Sequence, residues 1–331
     1  MPSPFRPIAR PVAGLAIAAL VLGFAVAALR STSVAHAATS SCADPITTAP
    51  SGPATVSATS TKYGNVLVVG SGAYSGCSLY LLTSDQLHAI NGADFACSDG
   101  ANPIGAACDT ILWPALLTDG APIAGPGINP TLLGTVTRND LPGLGTVQQV
   151  TYNGMPLYRF FLDEDPGETE GANLFDPVTA PTGTWYLVDP SRGQAATGTA
   201  QIEVETAPVA GGSDATVLAA RMNNDFSLFQ NATFPVYTLS PDTRKSACQG
   251  ACAAVYWPPV LTSGRPEAGP GVDQNALGII VRPDGTHQVT YNGKPLYLFE
   301  GDAYIAVLGG TASINGAGAS TPFGVFNTIT P

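Results

Sequence analysis

Two aspartates stand at the end of a six-residue pattern of tyrosine, any residue, phenylalanine, two further residues and aspartate. The pattern residues are Tyr158, Phe160 and Asp163 in the first case and Tyr297, Phe299 and Asp302 in the second. A carboxylate in this place could bind a cation or ligand, or could accept backbone N–H bonds and cap the following turn. Because turn capping is the commoner role, we expect both aspartates to cap turns, with a repeated cation or ligand site as the alternative.

A related pattern occurs earlier in each half of the chain, with leucine in place of the phenylalanine. It comprises Tyr80 and Asp85 in the first half and Tyr237 and Asp242 in the second. We therefore predict that each half contains the Tyr/Asp motif twice.

The most acidic stretch of the chain is residues 163–170, where Asp163, Asp165 and Glu168 are candidate Ca²⁺ ligands. Calcium is bound by carboxylate and carbonyl oxygens, and EF-hand loops place these at fixed positions that this stretch does not match. The second half of the chain has only two carboxylates in the equivalent place. The sequence thus predicts no cofactor, with calcium on these oxygens as the alternative.

Catalytic constellations have little support in this sequence. Glycoside hydrolysis needs two carboxyl groups across a cleft, whereas Asp163 and Asp165 are neighbours on one loop. The chain has no Gly-x-Ser-x-Gly nucleophile sequence, and His88 and His287 occupy non-equivalent positions. We predict a non-catalytic protein, with an enzyme that acts on an envelope polymer as the alternative.

The chain is a tandem duplication. LWPALLTDG at 112–120 returns as YWPPVLTSG at 256–264, and QVTYNGMPLYRF at 149–160 returns as QVTYNGKPLYLF at 288–299. Similar segments in the same order identify a repeat architecture. The predicted division is signal peptide 1–37, repeat domain 43–205, linker 206–214 and repeat domain 215–331.

The first 37 residues have the composition of a secretory signal peptide. Arg6 and Arg10 precede an unbroken run of apolar and small residues at 12–29, and an Ala-x-Ala sequence at 35–37 offers a cleavage site. Because the run approaches the length of a membrane span, an uncleaved anchor is the alternative. We predict a secreted or cell-envelope protein without a membrane span after cleavage.

The chain is acidic and sparsely charged. Its formal net charge is −11, and charged residues make up 11% of the sequence. Nucleic acids and anionic membranes are bound through basic patches, so this charge argues against both as partners. An extracellular or envelope ligand of unknown chemistry is the predicted partner.

Six cysteines in an exported chain predict three disulfides rather than a metal site. One pair of cysteines lies just before YWPP in the second half, and another lies just before LWPA in the first half. Equivalent positions predict equivalent pairs and leave the first two cysteines to pair with each other. The predicted disulfides are Cys97–Cys108, Cys248–Cys252 and Cys42–Cys77.

The pattern of apolar residues and turns predicts an all-β fold. Asn153-Gly154 and Asn292-Gly293 are typical of two-residue hairpin turns between strands. Further predicted strands are 66–71, 77–82, 184–188 and 216–221. Short helical turns are expected at 85–90 and 130–133. We predict two tandem repeats of short antiparallel strands in a sandwich- or barrel-like arrangement, with a propeller-like or shared-sheet arrangement as the alternative.

These motifs together resemble the bacterial family of secreted repeats of unknown function, which are lipoprotein-like proteins with a Tyr-x-(Phe/Trp/Tyr)-x-x-Asp motif. The resemblance rests on the two motifs ending at Asp163 and Asp302, on both QVTYNG-x-PLY sequences, and on the cysteines and Trp-Pro-Pro of residues 248–259. The chain departs from the family in lacking a lipobox and in its wider cysteine spacing before LWPA. The resemblance implies an exported, repeat-built protein and assigns no catalytic residue.

The predicted function is a non-catalytic module that binds a small ligand, a glycan or a protein outside the cell. A structural or adhesive surface protein is a second alternative besides the enzyme. A buried motif cluster would favour the structural role, an open groove with converging carboxylates would favour the enzyme, and exposed aromatic side chains would favour binding.

Overall fold

Glycine and proline divide the chain into short strands. The sequence contains 37 glycines and 29 prolines, and both residue types end strands and favour turns. The computed structural model describes residues 40–92, 94–98, 107–175, 183–209, 212–221, 223–225, 232–302 and 312–331. The predicted signal peptide lies outside the described residues.

The first copy of the repeat comprises strands β1 to β11. Their bounds are β1 Thr55–Thr61, β2 Gly64–Val69, β3 Tyr80–Leu82, β4 Leu117–Thr118, β5 Ile123–Ala124, β6 Leu133–Arg138, β7 Val147–Tyr152, β8 Met155–Pro156, β9 Leu174–Phe175, β10 Thr184–Val188 and β11 Ala195–Ala196.

The second copy comprises strands β12 to β21. Their bounds are β12 Gln201–Ala207, β13 Ala215–Arg221, β14 Thr233–Pro235, β15 Tyr237–Ser240, β16 Glu267–Ala268, β17 Leu277–Val281, β18 His287–Tyr291, β19 Lys294–Pro295, β20 Ala319–Thr321 and β21 Gly324–Thr328.

The strands of the described residues form small open sheets of three or four strands. In the first copy the sheet orders are β2-β1-β5, β11-β10-β3 with β9 also on β10, and β4-β7-β6 with β8 also on β7. In the second copy the orders are β14-β13-β12-β16, β15-β21-β20 and β17-β18-β19. The predicted all-β class of short antiparallel strands is therefore confirmed.

The first hairpin of each copy pairs with a short strand at an equivalent place in its own copy. β1 pairs in parallel with β5, and β12 pairs in parallel with β16 over two residues each. β12 also pairs with β13 through Ala207 and Ala215, so the predicted linker at 206–214 begins within β12, and its other described residues lie between the two strands of this hairpin. The division into two separate repeat domains stays a prediction.

Among the residues that the structure describes, helical structure is confined to single turns and one short helix. α1 spans Gln86–Asn91 and ends at Gly92, which has a φ of 69°. The 3₁₀ turns are Thr83–Asp85, Pro130–Leu132, Gln274–Ala276 and Glu300–Asp302, and the π-helical turns are Cys108–Leu112 and Cys252–Tyr256. In the part of the chain that the structure describes, no helix has the length and apolarity to cross a membrane.

Three disulfides close loops around the first strands and the π-helical turns. They are Cys42–Cys77, Cys97–Cys108 and Cys248–Cys252, the same pairs that position in the repeat predicted. Cys108 and Cys252 begin the two π-helical turns. Each of these turns leads into a buried tryptophan, Trp113 or Trp257. The disulfides therefore fix the approach of these side chains to the core.

The two copies share part of their apolar core. Phe175 of β9 packs with Phe234 of β14 at a ring distance of 5.7 Å and is buried in the core of the second copy. The hydroxyl of Thr83 donates to the carbonyl of Ala254 at 2.9 Å. The two copies therefore contact each other through both apolar and polar groups.

Asn-Gly dipeptides form the hairpins from β7 to β8 and from β18 to β19. Asn153 and Gly154 have φ values of 50° and 79°, and Asn292 and Gly293 have 50° and 76°. Both positions of such a turn require a left-handed backbone, which asparagine tolerates and glycine adopts freely. These hairpins lead directly into Tyr158 and Tyr297.

We expect Gly154→Ala to lower the free energy of unfolding by about 1–2 kcal/mol, because alanine is strained at positive φ. Space does not decide the outcome, since a Cβ at Gly154 would meet nothing within 4 Å. Gly52 is equally open but has no positive φ, so Gly52→Ala is the matched control. Urea unfolding of both variants tests this, and equal effects would contradict the assignment.

Candidate functional site

The two motif tyrosines of each copy lie opposite each other on adjacent chain segments. The Tyr80 amide donates to the Tyr158 carbonyl at 2.8 Å, and the Tyr158 amide donates to the Tyr80 carbonyl at 3.0 Å. Tyr237 and Tyr297 make the same exchange, with both bonds at 2.9 Å. This is the bonded pair of an antiparallel ladder. It places the two motifs of a copy side by side.

Each tyrosine hydroxyl donates to the aspartate of the opposite motif. Tyr80 donates to Asp163 Oδ2 at 2.6 Å, and Tyr158 donates to Asp85 Oδ2 at 2.7 Å. The second copy repeats the exchange in the pairs Tyr237–Asp302, at 2.5 Å, and Tyr297–Asp242. No motif tyrosine binds the aspartate of its own motif. The Tyr–Asp hydrogen bonds of a copy are therefore made only between its two motifs.

The second oxygen of each aspartate accepts a backbone N–H from the loop that follows it. These bonds are 2.7–2.9 Å long and join Asp85 to Ala96, Asp163 to Glu170, Asp242 to Ala247, and Asp302 to Asn315. Each aspartate thus accepts a backbone bond from a later loop, the role that the sequence predicted for Asp163 and Asp302 alone, and also binds a tyrosine. The tyrosine bond was not expected from the sequence.

The tyrosines and aspartates of the motif are buried. The four motif tyrosines are 0% exposed, and the four aspartates are between 1% and 7% exposed. Phe160 packs on Trp113 at a ring distance of 4.2 Å, and Phe299 packs on Trp257 at 4.3 Å. Phe160 is buried and Phe299 is partly buried, so the aromatic residues of the motif pack against the core.

Parallel stacks of two large rings lie beside the tyrosines. Trp113 stacks on Trp185 at 3.7 Å, and in the second copy Trp257 stacks on Phe326 at 3.6 Å. Each motif tyrosine meets one ring of its stack edge-on, at 5.3–5.5 Å. Edge-to-face pairs of this kind add to the stability that burial provides. The tyrosine side chains are thereby held in place for their aspartates.

Burial shifts the ionisation of the motif carboxyl groups. Desolvation raises the pKa of Asp163 and of Asp302 to about 7, although the tyrosine and backbone bonds act in the opposite direction. Desolvation also raises the pKa of Asp85 and Asp242. The loss of water therefore outweighs the two hydrogen bonds that each carboxylate accepts.

A buried arginine and glutamine of each copy were not identified from the sequence. Arg138 donates to Gln149 Oε1 at 2.5 Å and to the Cys97 carbonyl at 3.2 Å. Arg282 donates to Gln288 at 2.7 Å and to the Cys248 carbonyl at 3.3 Å. The arginines therefore join a disulfide loop to the sheet beside the motif. The signal available in the sequence was that the arginine recurs at equivalent positions, as the last residue of β6 and just after β17.

The acidic loop does not assemble the predicted calcium ligands. Both oxygens of Asp163 are taken by Tyr80 and Glu170, and Glu168 Oε2 accepts the amides of Glu164 and Asp165. Among the residues that the structure describes, no group of three or more His, Cys, Asp or Glu side chains could hold a metal ion. Calcium binding stays the alternative that the sequence offered, and the described residues assemble no site for it.

A small cavity lies at the junction of the two copies. Its volume is about 50 Å³, and its lining is mostly apolar with polar groups from Asn173, Thr197, Arg221 and Asn223. The Asn173 amide donates to the carbonyls of Thr197 and Asn223, at 3.0 and 2.7 Å. Its Oδ1 is buried and accepts no hydrogen bond from the described residues. The residues that line the cavity therefore include a buried acceptor without a donor, and the cavity has room for about one or two water molecules.

The family model described as a secreted repeat of unknown function matches residues 134–188 and 278–304. The matches fall at equivalent places in the two copies, and each contains one complete Tyr-x-Phe-x-x-Asp motif. They confirm the family resemblance and the secreted or cell-envelope location. No curated protein and no solved structure matches the chain.

We expect Tyr237→Phe to lower the free energy of unfolding by about 1–3 kcal/mol, because it leaves a buried oxygen of Asp302 without its donor. Tyr291→Phe is the control, since the hydroxyl of this partly buried tyrosine makes no hydrogen bond within the described residues. Chemical denaturation measures both. Equal stability of Tyr237→Phe and wild type would show that the hydroxyl is not part of a structural brace.

We expect the folded state to lose stability as the pH rises from about 4 to above 7. The carboxyl groups of Asp163 and Asp302 have a pKa of about 7 in the folded protein, against a reference value of 3.8. A raised pKa stabilises the fold below the unfolded value and loses that contribution as pH passes the folded value. Unfolding in urea between pH 4.5 and 8.5 tests this.

The matched variants are Asp302→Asn, which cannot ionise, and Asp165→Asn on the exposed acidic loop. Asp302→Asn should flatten the pH profile, whereas Asp165→Asn should leave its shape unchanged. Stability that rises steadily over this range in the wild type would contradict the assigned ionisation.

Proposed function

We propose, from its two matches to a secreted repeat and from the buried motif, that the protein is a non-catalytic structural or adhesive component outside the cell. The motif is an internal brace that joins the two halves of each copy. The observation that carries this proposal is the reciprocal Tyr–Asp pairing in a core that excludes solvent.

The geometry of the carboxyl groups argues against an enzyme at this site. A catalytic acid, base or nucleophile must reach a substrate atom within hydrogen-bond distance. Both oxygens of Asp163 and of Asp302 are already bound to protein donors, and each residue is 1% exposed. Their raised pKa values follow from burial, which structural carboxyl groups share with catalytic ones.

Binding of a small polar ligand at the junction cavity is the second candidate function. It is favoured by the buried Oδ1 of Asn173, because this oxygen accepts no hydrogen bond from the described residues. The size of the cavity limits the occupant to a few atoms or to one arm of a larger molecule. A ligand of this kind would present a hydroxyl or an N–H to Asn173.

We expect native mass spectrometry of the secreted protein to give the bare polypeptide mass with three disulfides. A retained mass that disappears in Asn173→Ala would support the junction site instead, and a retained mass removed by a chelator would indicate a metal.

As a separate check on the motif, folded wild type and folded Tyr237→Phe should bind equally to isolated envelopes. Weaker binding by the folded variant would identify the motif as a ligand site.

A further inference from the structure

The outer edge of the sheet β17-β18-β19 exposes large apolar side chains. β17 is the terminal strand of this sheet, and the side chains of Ile279 and Val281 are 40% and 68% exposed. They lie two residues apart and so share one face of the strand. Exposed edge strands of this kind are usually interrupted by charge or proline because they pair with other strands. β17 contains neither.

The backbone of β17 is open to a further strand. The Asn292 amide donates to the Ala276 carbonyl, and the Arg282 amide donates to the Thr286 carbonyl. These two bonds show that the even-numbered residues of β17 are the ones that form bonded pairs with β18. In an antiparallel ladder the groups of alternate residues point away from the partner. The amides and carbonyls of Leu277, Ile279 and Val281 therefore face outward, and no strand among the described residues pairs with them.

The equivalent edge of the first copy has a different chemistry. β6 is also terminal in its sheet, and at the places of Ile279 and Val281 it exposes Thr135 and Thr137. The two copies thus keep the same backbone and differ in the polarity of the edge. Of these two equivalent edges, only that of the second copy is apolar.

The sheet around β17 also lacks the acidic character of the whole chain. The protein carries 24 acidic and 13 basic residues, excluding histidine, so two molecules repel each other over most of their surface. β17, β18 and β19 contain no acidic residue, and they include His287 and the exposed Lys294. The strands of this sheet edge therefore bring no carboxylate to the contact, and the nearest carboxylates are those of Asp273 and Asp284 in the turns at either end of β17.

We infer that β17 pairs with β17 of a second copy of this chain in an antiparallel two-fold arrangement. With Ile279 on the two-fold axis, Ile279 faces its symmetry mate and Leu277 faces Val281. All three outward-facing residues then form bonded pairs, and the apolar side chains meet across the two strands. This inference does not depend on the structural role proposed for the motif.

The symmetry decides the form of the assembly. An isologous contact closes after two molecules, and the polar edge at β6 does not extend it into a fibre. A single pair of five-residue strands buries less than the area of a standard stable interface. The dimer is therefore weak in dilute solution and is promoted where copies are held close together at a cell surface.

Sedimentation velocity of the secreted protein over a concentration series tests the inference. We expect a concentration-dependent dimer in the wild type and a dissociation constant raised at least about tenfold in Ile279→Lys, which places like charges opposite each other. Thr135→Lys at the equivalent place of β6 is the matched control and should dimerise as the wild type does. Loss of the dimer in both variants would contradict edge pairing at β17.

A charge-swap experiment separates edge pairing from a general effect of charge. Ile279→Lys and Ile279→Glu should each be monomeric alone and should form a mixed dimer when combined, because the opposite charges then face each other at the axis. In the wild-type dimer the amides of Leu277, Ile279 and Val281 should exchange hydrogen more slowly than in the monomer. A wild type that stays monomeric at millimolar concentration, or a mixture that forms no dimer, would overturn the inference.

Discussion

A phenol hydroxyl bound to a carboxyl group inside an apolar core is the interaction on which each copy of this structure depends. Burial of an aspartate is costly unless its oxygens are bound by donors. In each motif one oxygen binds a tyrosine across the copy and the other binds the loop that follows. Removal of either partner leaves the other buried and unsatisfied, so each incomplete pair lowers the free energy of unfolding.

The reciprocal pairing explains why the motif occurs twice in each copy. Tyr80 donates to Asp163, and Tyr158 donates to Asp85. Each motif of the copy therefore supplies the acceptor for the tyrosine hydroxyl of the other motif. The disulfide loops, the π-helical turns and the Asn-Gly hairpins all serve to bring these segments together. The second copy reproduces this scheme, although the segments that follow the motif aspartates differ in sequence and length from those of the first copy.

The copies keep the Tyr–Asp pairs and differ in the ring stack beside them and at the sheet edge. In the ring stack, Trp185 of the first copy is replaced by Phe326, and the buried Trp185 Nε1 makes no hydrogen bond to the described residues. At the sheet edge, the threonines of β6 are replaced by isoleucine and valine in β17. The structural role is therefore common to both copies, while contact with partners is expected from surfaces on which the copies have diverged.

The sequence by itself determined the class of fold, the duplication, the hairpins and the disulfide pairs. These features follow from local signals, such as Asn-Gly turns at positive φ, or from the comparison of one copy with the other. The partner of each motif residue was decided only by the tertiary structure, since Tyr80 and Asp163 are 83 residues apart. Local spacing suggested a cap, but the crossed tyrosine bonds, the buried Arg138 and Arg282 and the raised carboxyl pKa values depend on which segments exclude water together. That exclusion is a property of the packed chain, because desolvation acts on a side chain only after distant segments have closed over it.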